Sequence, residues 1–215
     1  PYLTQIYDLI PAELNAQNKR FNFADLKKGL RYERSEDNFV WLSSAGVALP
    51  AYNTSAPTVP LLLNEKSSLF KLFLSDVGML TTLYGRATKM KLLSNDQNIN
   101  YGAIYENVVA QELKAHGFKL YYFNSKKTGE VDFVIEYNGK VMPIEVKSGK
   151  DYRKHSALIN VIDTPNYSID EAIVLSNYNV SVSGKITYYP IYMLMFIRND
   201  EIKMPKLELD DLSAL

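Results

Sequence analysis

Two acidic residues near the middle of the chain have the types and the spacing that metal-dependent chemistry requires. Residues 129–150 read GEVDFVIEYNGKVMPIEVKSGK, which predicts two strands joined by Asn138-Gly139, the strongest short signal for a two-residue type I′ turn. That turn places Asp132 opposite Glu145 at a non-hydrogen-bonded pair, where side chains approach most closely. Because opposed carboxylates repel each other unless a cation lies between them, the register predicts a metal site.

Alternation of side chains along the two strands predicts that four charged residues project from one face. They are Glu130, Asp132, Glu145 and Lys147. Lys147 could then orient an attacking water and offset the charge that develops on phosphorus. Glu130 has a second interpretation, in which it pairs with Lys147 across the hairpin and serves only the structure.

Glu106 lies in the clearest predicted helix, residues 100–116, which Gly117 ends. Its helical face is apolar and carries Ala103, Val109, Ala110 and Leu113. A carboxylate on an apolar stripe needs a partner, so considered alone Glu106 would lie at the edge of the stripe and reach solvent. Beside the hairpin acids it instead completes a three-carboxylate site, with Glu106, Asp132 and Glu145 as ligands of Mg²⁺ or Mn²⁺.

These residues resemble the PD-(D/E)XK nuclease superfamily. The matching positions are Glu106, Asp132 within Gly-Glu-Val-Asp, and Glu145-Val-Lys147, in the order of a Holliday-junction-resolvase-like or restriction-endonuclease-like core. Val131 stands where the motif would have its proline. The resemblance implies that Asp132, Glu145, Lys147 and Glu106 are catalytic and that DNA is the substrate.

A second resemblance extends over nearly the whole chain. Four segments are similar to the C-terminal region of a family of prokaryotic AAA+ ATPases: residues 10–14, 22–31, 70–80 and 102–107. In that family a P-loop ATPase domain precedes a winged helix and a nuclease-like domain. This chain has no G-x-x-x-x-G-K-[ST] sequence and begins with Pro1, so we expect the ATPase domain upstream, as the partner of this chain and the only place where ATP would bind.

The predicted fold class is α/β (α+β overall), in two domains. Residues 1–66 are predicted to form a winged helix-turn-helix, and residues 67–215 a restriction-endonuclease-like domain with a mixed sheet. The first domain has predicted helices over residues 3–10 (ended by Pro11), 22–30 and 35–45, and strands over 47–52 and 59–63. Phe39, Val40 and Leu42 are predicted to face inward, and Trp41 to be in the core.

From residue 100 onward, the second domain is predicted to contain a helix, three strands, a helix and a strand, followed by a further strand. Its predicted elements are a strand at 70–75, helix 76–84, helix 100–116, a strand at 118–123, the hairpin, helix 152–162 and strands at 172–176 and 186–197. The crossover through the last helix predicts a parallel pair of strands.

Charge is balanced overall but segregated along the chain. The 24 Lys and Arg equal the 24 Asp and Glu, which excludes the diffuse positive field of a strongly basic coat protein. Residues 19–34 hold six bases against two acids, and residues 114–154 hold nine against five. The predicted nucleic-acid contacts are Lys27, Lys28, Arg31, Arg34, Lys126, Lys127, Lys150, Arg153 and Lys154. A winged helix binds proteins about as readily as DNA, so both partners stay open for the first domain.

The sequence contains no cysteine, which excludes disulfides and thiolate metal sites. Its longest apolar run, residues 188–197, is too short to span a bilayer. These features predict a cytoplasmic protein without membrane association. The leading hypothesis is Mg²⁺-dependent phosphodiester hydrolysis, and the alternative is a catalytically silent module that binds DNA or a protein and regulates the ATPase domain.

Overall fold

One mixed sheet of eight strands organises the chain in the computed structural model, which describes residues 2–16, 18–22, 36–94, 96 and 99–199. The strands are β1 Ala48–Thr54, β2 Glu65–Leu74, β3 Tyr121–Ser125, β4 Gly129–Tyr137, β5 Lys140–Val146, β6 Ala172–Ser176, β7 Ser181–Ser183 and β8 Ile186–Pro190. The α-helices are α1 Tyr2–Asn15, α2 Glu36–Ser44, α3 Val77–Leu83, α4 Arg86–Leu93, α5 Gly102–Ala115 and α6 Ser156–Ile162. Short 3₁₀ helices cover Leu61–Asn64, Pro165–Tyr167 and Ile191–Phe196.

The strands lie in the order β2-β1-β3-β4-β5-β6-β8-β7. Three neighbouring pairs, β1 with β3, β5 with β6 and β6 with β8, are parallel, and the other pairs are antiparallel. Because α6 lies in the connection between β5 and β6, the parallel pair predicted for that crossover is confirmed. Helices packed on a mixed sheet confirm the predicted α+β class.

The first strands of the chain belong to the same sheet as the predicted metal site. β1 pairs antiparallel with β2 on one side and parallel with β3 on the other. One hydrophobic cluster contains Ile6 of α1, Phe73 of β2 and Phe133 of β4. The boundary predicted between residues 66 and 67 falls within β2, so the sheet and its core continue across that point.

The predicted wing has a different form. Its first strand is β1, but residues 59–63 do not form the second, since a 3₁₀ helix follows Pro60, which has no N–H to give to a ladder. The strand that pairs with β1 begins at Glu65. The helix predicted over residues 22–30 lies largely outside the described residues, as do Lys27, Lys28, Arg31 and Arg34.

Helix α1 continues through Pro11, where the sequence predicts its end. Ile6, Ile10 and Leu14 are all buried on one face of this helix. Burial of apolar side chains on both sides of the proline offsets the backbone hydrogen bond that the proline lacks.

Helix α2 buries only part of its predicted inward face. Phe39 and Leu42 are in the core as predicted, whereas Val40 and Trp41 are 46% and 57% exposed. Positions three apart share a helical face, and the two positions between them point away from it. The prediction of Val40 and Trp41 as inward residues is therefore wrong.

Elements near the site form close to their predicted places. Helix α5 ends before Gly117, which has a φ of 86°. Helix α6 begins four residues later than predicted, and β8 ends at Pro190, where a 3₁₀ helix replaces the rest of the predicted strand. Helix α4 and strand β7 are not predicted from the sequence.

No helix in the described part of the chain is long and apolar enough to cross a membrane.

Candidate functional site

The hairpin that carries the predicted site forms in the predicted register. Asn138 and Gly139 have φ angles of 51° and 73°, the two positive values that a type I′ turn requires. The ladder of β4 with β5 runs back from this turn to Phe133, which pairs with Ile144. The predicted register is confirmed over this ladder.

Asp132 lies at a bulge in β4, one residue beyond the end of that ladder. Along β3, Tyr121 pairs with Val134 and Phe123 pairs with Val131, so β4 has one extra residue between the two pairs. The extra residue interrupts the alternation of side chains. Regular alternation alone therefore does not place the four charged residues on one face, although Glu130 and Asp132 both lie against the Lys71 ammonium.

A side-chain hydrogen bond joins β4 to β5 at the bulge. The backbone N–H of Val146 donates to Asp132 Oδ2 at 2.9 Å. The predicted ladder pair between Asp132 and Glu145 does not form, because the ladder ends at Phe133 and Ile144 and Asp132 bonds to Val146 instead. Asp132 is 8% exposed and Glu145 is 6% exposed, so both carboxylates are held within the protein.

Glu106 reaches the same region from α5. The apolar face predicted for this helix is buried, with Ala103, Val109, Ala110 and Leu113 in the core. Glu106 is itself 3% exposed and forms an ion pair with Lys19. The interpretation in which Glu106 reaches solvent is therefore wrong.

Lys71 of β2 supplies a buried ammonium to the carboxylates. Its Nζ lies 2.6 Å from Glu130 Oε1 and 3.9 Å from both Glu106 Oε2 and Asp132 Oδ1. The ring centroid of Tyr122 lies 5.0 Å from the same nitrogen, a distance at which a cation and an aromatic face attract each other. The three acids and this lysine form what we call the carboxylate cluster, together with Glu145 and Lys147.

No role is predicted for Lys71 from the sequence, although a signal is present. Residues 69–74 read LFKLFL, and a lone lysine in a buried strand needs a negative partner. In the ladder its partner is Ala51, whose small side chain leaves room for the lysine stem to pass towards β3 and β4.

Glu130 and Lys147 have separate partners. Glu130 pairs with Lys71 and also accepts a hydrogen bond from Asn124 Nδ2 at 2.6 Å. Lys147 Nζ donates to Glu145 Oε1 at 2.6 Å. The interpretation in which Glu130 pairs with Lys147 across the hairpin is therefore wrong.

Burial and mutual repulsion raise the pKa of two carboxyl groups in the cluster. Burial raises the pKa of Glu106 to about 7, and Asp132 adds to the rise while nearby lysines oppose it. Burial raises the pKa of Glu145 to about 8, again with a contribution from Asp132. A nearby cation would favour the charged form of both groups.

The pKa values of the two lysines are set by the charges around them more than by burial. Burial alone would lower the pKa of Lys71, but the carboxylates around it outweigh burial and raise the pKa. Burial likewise lowers the pKa of Lys147, and Glu145 more than offsets this, with help from Asp132 and Glu106. The four predicted site residues therefore share one electrostatic environment, although they come from α5, from β4 and from the end of β5.

The cluster contains atoms that suit a hard cation. Glu106 Oε2 and Glu145 Oε2 are buried and accept no hydrogen bond from the described residues. Carboxylate oxygens are the ligands that Mg²⁺ prefers in proteins. Within the part of the chain that the structure describes, no group of three or more His, Asp or Glu side chains is already arranged around a metal position. The donor chemistry fits Mg²⁺ or Mn²⁺, while Lys71 and Lys19 already balance part of the negative charge.

The remaining predicted nucleic-acid contacts lie on the surface. They are Lys126, Lys127, Lys150, Arg153 and Lys154, all exposed. The Arg153 guanidinium lies 5.3 Å from the Tyr152 ring and 4.9 Å from the Tyr188 ring. Lys154 pairs with Asp151 at 2.9 Å.

A cavity of about 480 Å³ lies among the start of α5 and the segments that follow β5 and β6. Its lining consists of Tyr101, Tyr105, Ser148, Gly149, Lys150, Asn177 and Tyr178. Tyr105 precedes Glu106 in the chain and Ser148 follows Lys147, but none of the cluster residues lines the cavity. The Tyr105 hydroxyl donates to Asn177 Oδ1 at 2.7 Å. Of these lining residues only Lys150 is predicted from the sequence to bind a ligand.

Part of the chain matches a known protein family. Residues 101–194 match the model of a family described as a domain of unknown function (DUF4143). This range contains Glu106, Asp132, Glu145 and Lys147, and it excludes Lys71. No curated protein and no solved structure matches the chain.

Proposed function

We propose that the carboxylate cluster is an active site for phosphodiester hydrolysis that depends on Mg²⁺ or Mn²⁺. The observation that carries this proposal is the pair of buried oxygens, Glu106 Oε2 and Glu145 Oε2, that accept no hydrogen bond from the described residues. A buried carboxylate oxygen without a partner is costly unless a cation or a proton neutralises it. The raised pKa values of the two groups express the same cost.

Each charged side chain of the site has a separate role in this proposal. Glu106, Asp132 and Glu145 hold the cation, which when bound supplies Lewis-acid stabilisation for the charge on the phosphoryl oxygens. Lys147 is positioned by its contact of 2.6 Å with Glu145 Oε1. From there its ammonium orients the attacking water and offsets negative charge in the transition state.

Nucleic acid is the substrate class that the surroundings support. Basic side chains contact phosphates, and unstacked bases pack on aromatic rings. A cavity lined by chain neighbours of Glu106 and Lys147 offers both, because Lys150 lines it together with Tyr105 and Tyr178. The resemblance to restriction-endonuclease-like enzymes favours DNA within that class.

The resemblance to AAA+ ATPases extends the proposal to a longer protein. In that longer protein, this chain would be the C-terminal region. Its residues 1–66 would bind DNA or a protein, and its remaining residues would hydrolyse DNA. An upstream ATPase domain would bind ATP and act as the partner of this chain. The matched family, a domain of unknown function, agrees with the nuclease-like domain being uncharacterised but adds no activity.

A second candidate function is a catalytically silent module that binds DNA or a protein and regulates the ATPase domain. The observation that favours it is the internal balance of charge. Lys71 and Lys19 form ion pairs with the acids of the cluster without any metal. A cluster that is neutralised by lysines is stable with no cofactor and no chemistry to perform.

Calorimetry with Mn²⁺ and Mg²⁺ separates the two functions. Hydrolysis requires that the wild-type chain takes up metal, and that Asp132→Asn and Glu145→Gln each weaken the binding by about tenfold or more. Asp170→Asn and Glu171→Gln are the controls, because both carboxylates are exposed beside the start of β6. A wild-type chain that takes up neither ion assigns the cluster to the silent module.

A cleavage assay on branched and linear DNA completes the test. With Mn²⁺ present, the wild type should cleave at least one of these substrates and Asp132→Asn should not. Metal uptake without cleavage in the isolated chain would direct the next assay to the protein with its ATPase domain.

A further inference from the structure

Lys71 holds a place in the carboxylate cluster that the proposed hydrolysis does not use. Acids from two elements surround its ammonium: Glu106 from α5, and Glu130 and Asp132 from β4. The contact of 2.6 Å with Glu130 is a direct ion pair. Three carboxylates that converge on one cation resemble the oxygen ligands of a hard metal ion, here at distances of 2.6, 3.9 and 3.9 Å from an ammonium.

This ammonium has no alternative position in solvent. The Lys71 side chain is 0% exposed, and the Tyr122 ring packs against its nitrogen. Burying an ammonium is costly unless opposite charges surround it, and the three acids would repel one another without it. Lysine and carboxylates therefore stabilise each other, and without Lys71 the acids Glu130 and Asp132 lose their ion-pair partner while Glu106 keeps Lys19.

We propose that Lys71 occupies a cation position of the cluster, so that the wild-type site binds one divalent ion fewer than its carboxylates would otherwise hold. The proposal rests on the proposed function only in taking these carboxylates as possible metal ligands. A tethered ammonium cannot diffuse away, so it fills its position at all metal concentrations. The position that remains for a divalent ion is beside Glu145, whose Oε2 is buried and accepts no hydrogen bond from the described residues.

The test removes the ammonium and counts the bound ions. Lys71→Met keeps the apolar stem of the side chain and removes its charge. We expect this variant to bind one more Mn²⁺ per chain than the wild type in isothermal titration calorimetry. We also expect added Mn²⁺ to raise its Tm more than that of the wild type. Lys119→Met is the control, because Lys119 forms an ion pair of the same length, 2.6 Å, with Glu65 but is 48% exposed.

A second variant covers the case in which repulsion among the three acids prevents folding once Lys71 is removed. Lys71→Met/Glu130→Gln keeps the net charge of the wild type and retains Glu106 and Asp132. It should also bind the additional ion, and a Lys71→Met chain that folds only with Mn²⁺ supports the proposal as well. Equal Mn²⁺ counts in the wild type and the variants overturn it, as does misfolding of both variants that Mn²⁺ does not rescue.

The wild-type count tests the proposed function separately. One ion in the wild type and two in the variants support both proposals. No ion in the wild type and one in the variants supports the role of Lys71 and overturns metal-dependent hydrolysis.

Discussion

The backbone N–H of Val146 donates a hydrogen bond of 2.9 Å to Asp132 Oδ2, at the point where the ladder of β4 and β5 ends. The other oxygen, Asp132 Oδ1, lies 3.9 Å from Lys71 Nζ. One carboxylate therefore completes the backbone hydrogen bonding of a strand and contributes charge to the cluster. Substitution can separate these two roles.

Asp132→Ala should destabilise the metal-free chain, and Asp132→Asn should not. Asparagine retains an oxygen that accepts from Val146, and it removes the repulsion between this carboxylate and those of Glu106 and Glu145. Alanine leaves a buried N–H without a partner, which costs about 1–3 kcal/mol of unfolding free energy. Urea unfolding in a chelating buffer measures the unfolding free energy of both variants. Equal destabilisation by the two substitutions would show that the hydrogen bond is not what Asp132 contributes to stability.

Part of the stability of the metal-free chain should be lost as pH rises from about 5 to about 8. The pKa of Glu106 is raised to about 7 and that of Glu145 to about 8 in the folded chain. In this interval the folded chain binds more protons than the unfolded chain. The resulting stabilisation is fully present below the unfolded pKa and disappears as pH passes through the folded pKa.

Glu145→Gln isolates this effect, because it removes one of the two groups. Its unfolding free energy should decrease less over the same interval than that of the wild type or of the exposed control Glu171→Gln. His155 acts in the opposite direction, since burial lowers its pKa, but it is common to all three chains. Parallel pH profiles for wild type and Glu145→Gln would contradict the raised pKa of Glu145.

Lys147→Ala should retain metal and lose catalysis. Its ammonium contacts Glu145 at 2.6 Å and is assigned to the transition state, not to coordination. We expect the cleavage rate to fall by roughly 10²–10³-fold while the Mn²⁺ count stays at the wild-type value. Lys140→Ala is the control, because that exposed lysine pairs with Asp170 near the hairpin turn. A loss of metal along with the rate would instead place Lys147 among the groups that organise the binding site.

Gly129→Ala should cost more stability than Gly139→Ala. Both glycines have positive φ, 93° and 73°, so each substitution strains the backbone by about 1–2 kcal/mol. At Gly139 an added Cβ meets no atom within 4 Å, whereas at Gly129 it lies 2.9 Å from the Cβ of Ala157 in α6. Overpacking of this kind costs about 1–3 kcal/mol more.

The double variant Gly129→Ala/Ala157→Gly separates packing from backbone strain. Removing the Ala157 methyl should recover part of the loss in thermal unfolding, since it relieves the close contact and leaves φ unchanged. Glycine in α6 itself costs about 1 kcal/mol, so the cost at Gly129 lies in the backbone alone if the double variant loses the sum of the two single losses.

Salt dependence should identify the residues that bind phosphate. Replacing Lys126, Lys127 or Lys150 by glutamine should lower the slope of log K against log salt by about one unit for each phosphate that the protein no longer neutralises. The same measurement applies to the basic residues predicted to bind DNA in the first domain, Lys27, Lys28, Arg31 and Arg34. An unchanged slope after all four are replaced would assign that region to protein binding. Lys140→Gln should leave the slope at the wild-type value, because Lys140 is already paired with Asp170.

Local signals made the core of the site predictable. The turn at Asn138-Gly139 depends on two residues with positive φ, and it determines the β4–β5 register without help from the rest of the fold. The apolar stripe of helix α5 is likewise predicted by its periodicity, whereas the burial of Glu106 is not, because the stripe considered alone places this carboxylate in solvent. The turn and the stripe both depend on neighbours within a few positions, where periodicity is informative.

Pairing between distant segments made the rest unpredictable. The bulge at Asp132 arises from the register of β4 against β3, which the hairpin sequence does not contain. Lys71 reaches the cluster from β2, past β1 and β3. Strands β1 and β3 are neighbours in the sheet, although β2 and three α-helices lie between them in the sequence. Such contacts depend on the whole sheet, so no window of sequence around either residue specifies them.

The parallel pairing of β1 with β3 has a consequence for shorter versions of this chain. A fragment limited to residues 101–194 would lack β1 and β2, and β3 would become an edge strand with unpaired N–H and C=O groups. Such an edge favours strand addition from a second chain, so the fragment would tend to self-associate. It would also lack Lys71, and its acids would depend on soluble cations for the charge balance that the longer chain carries within its own sheet.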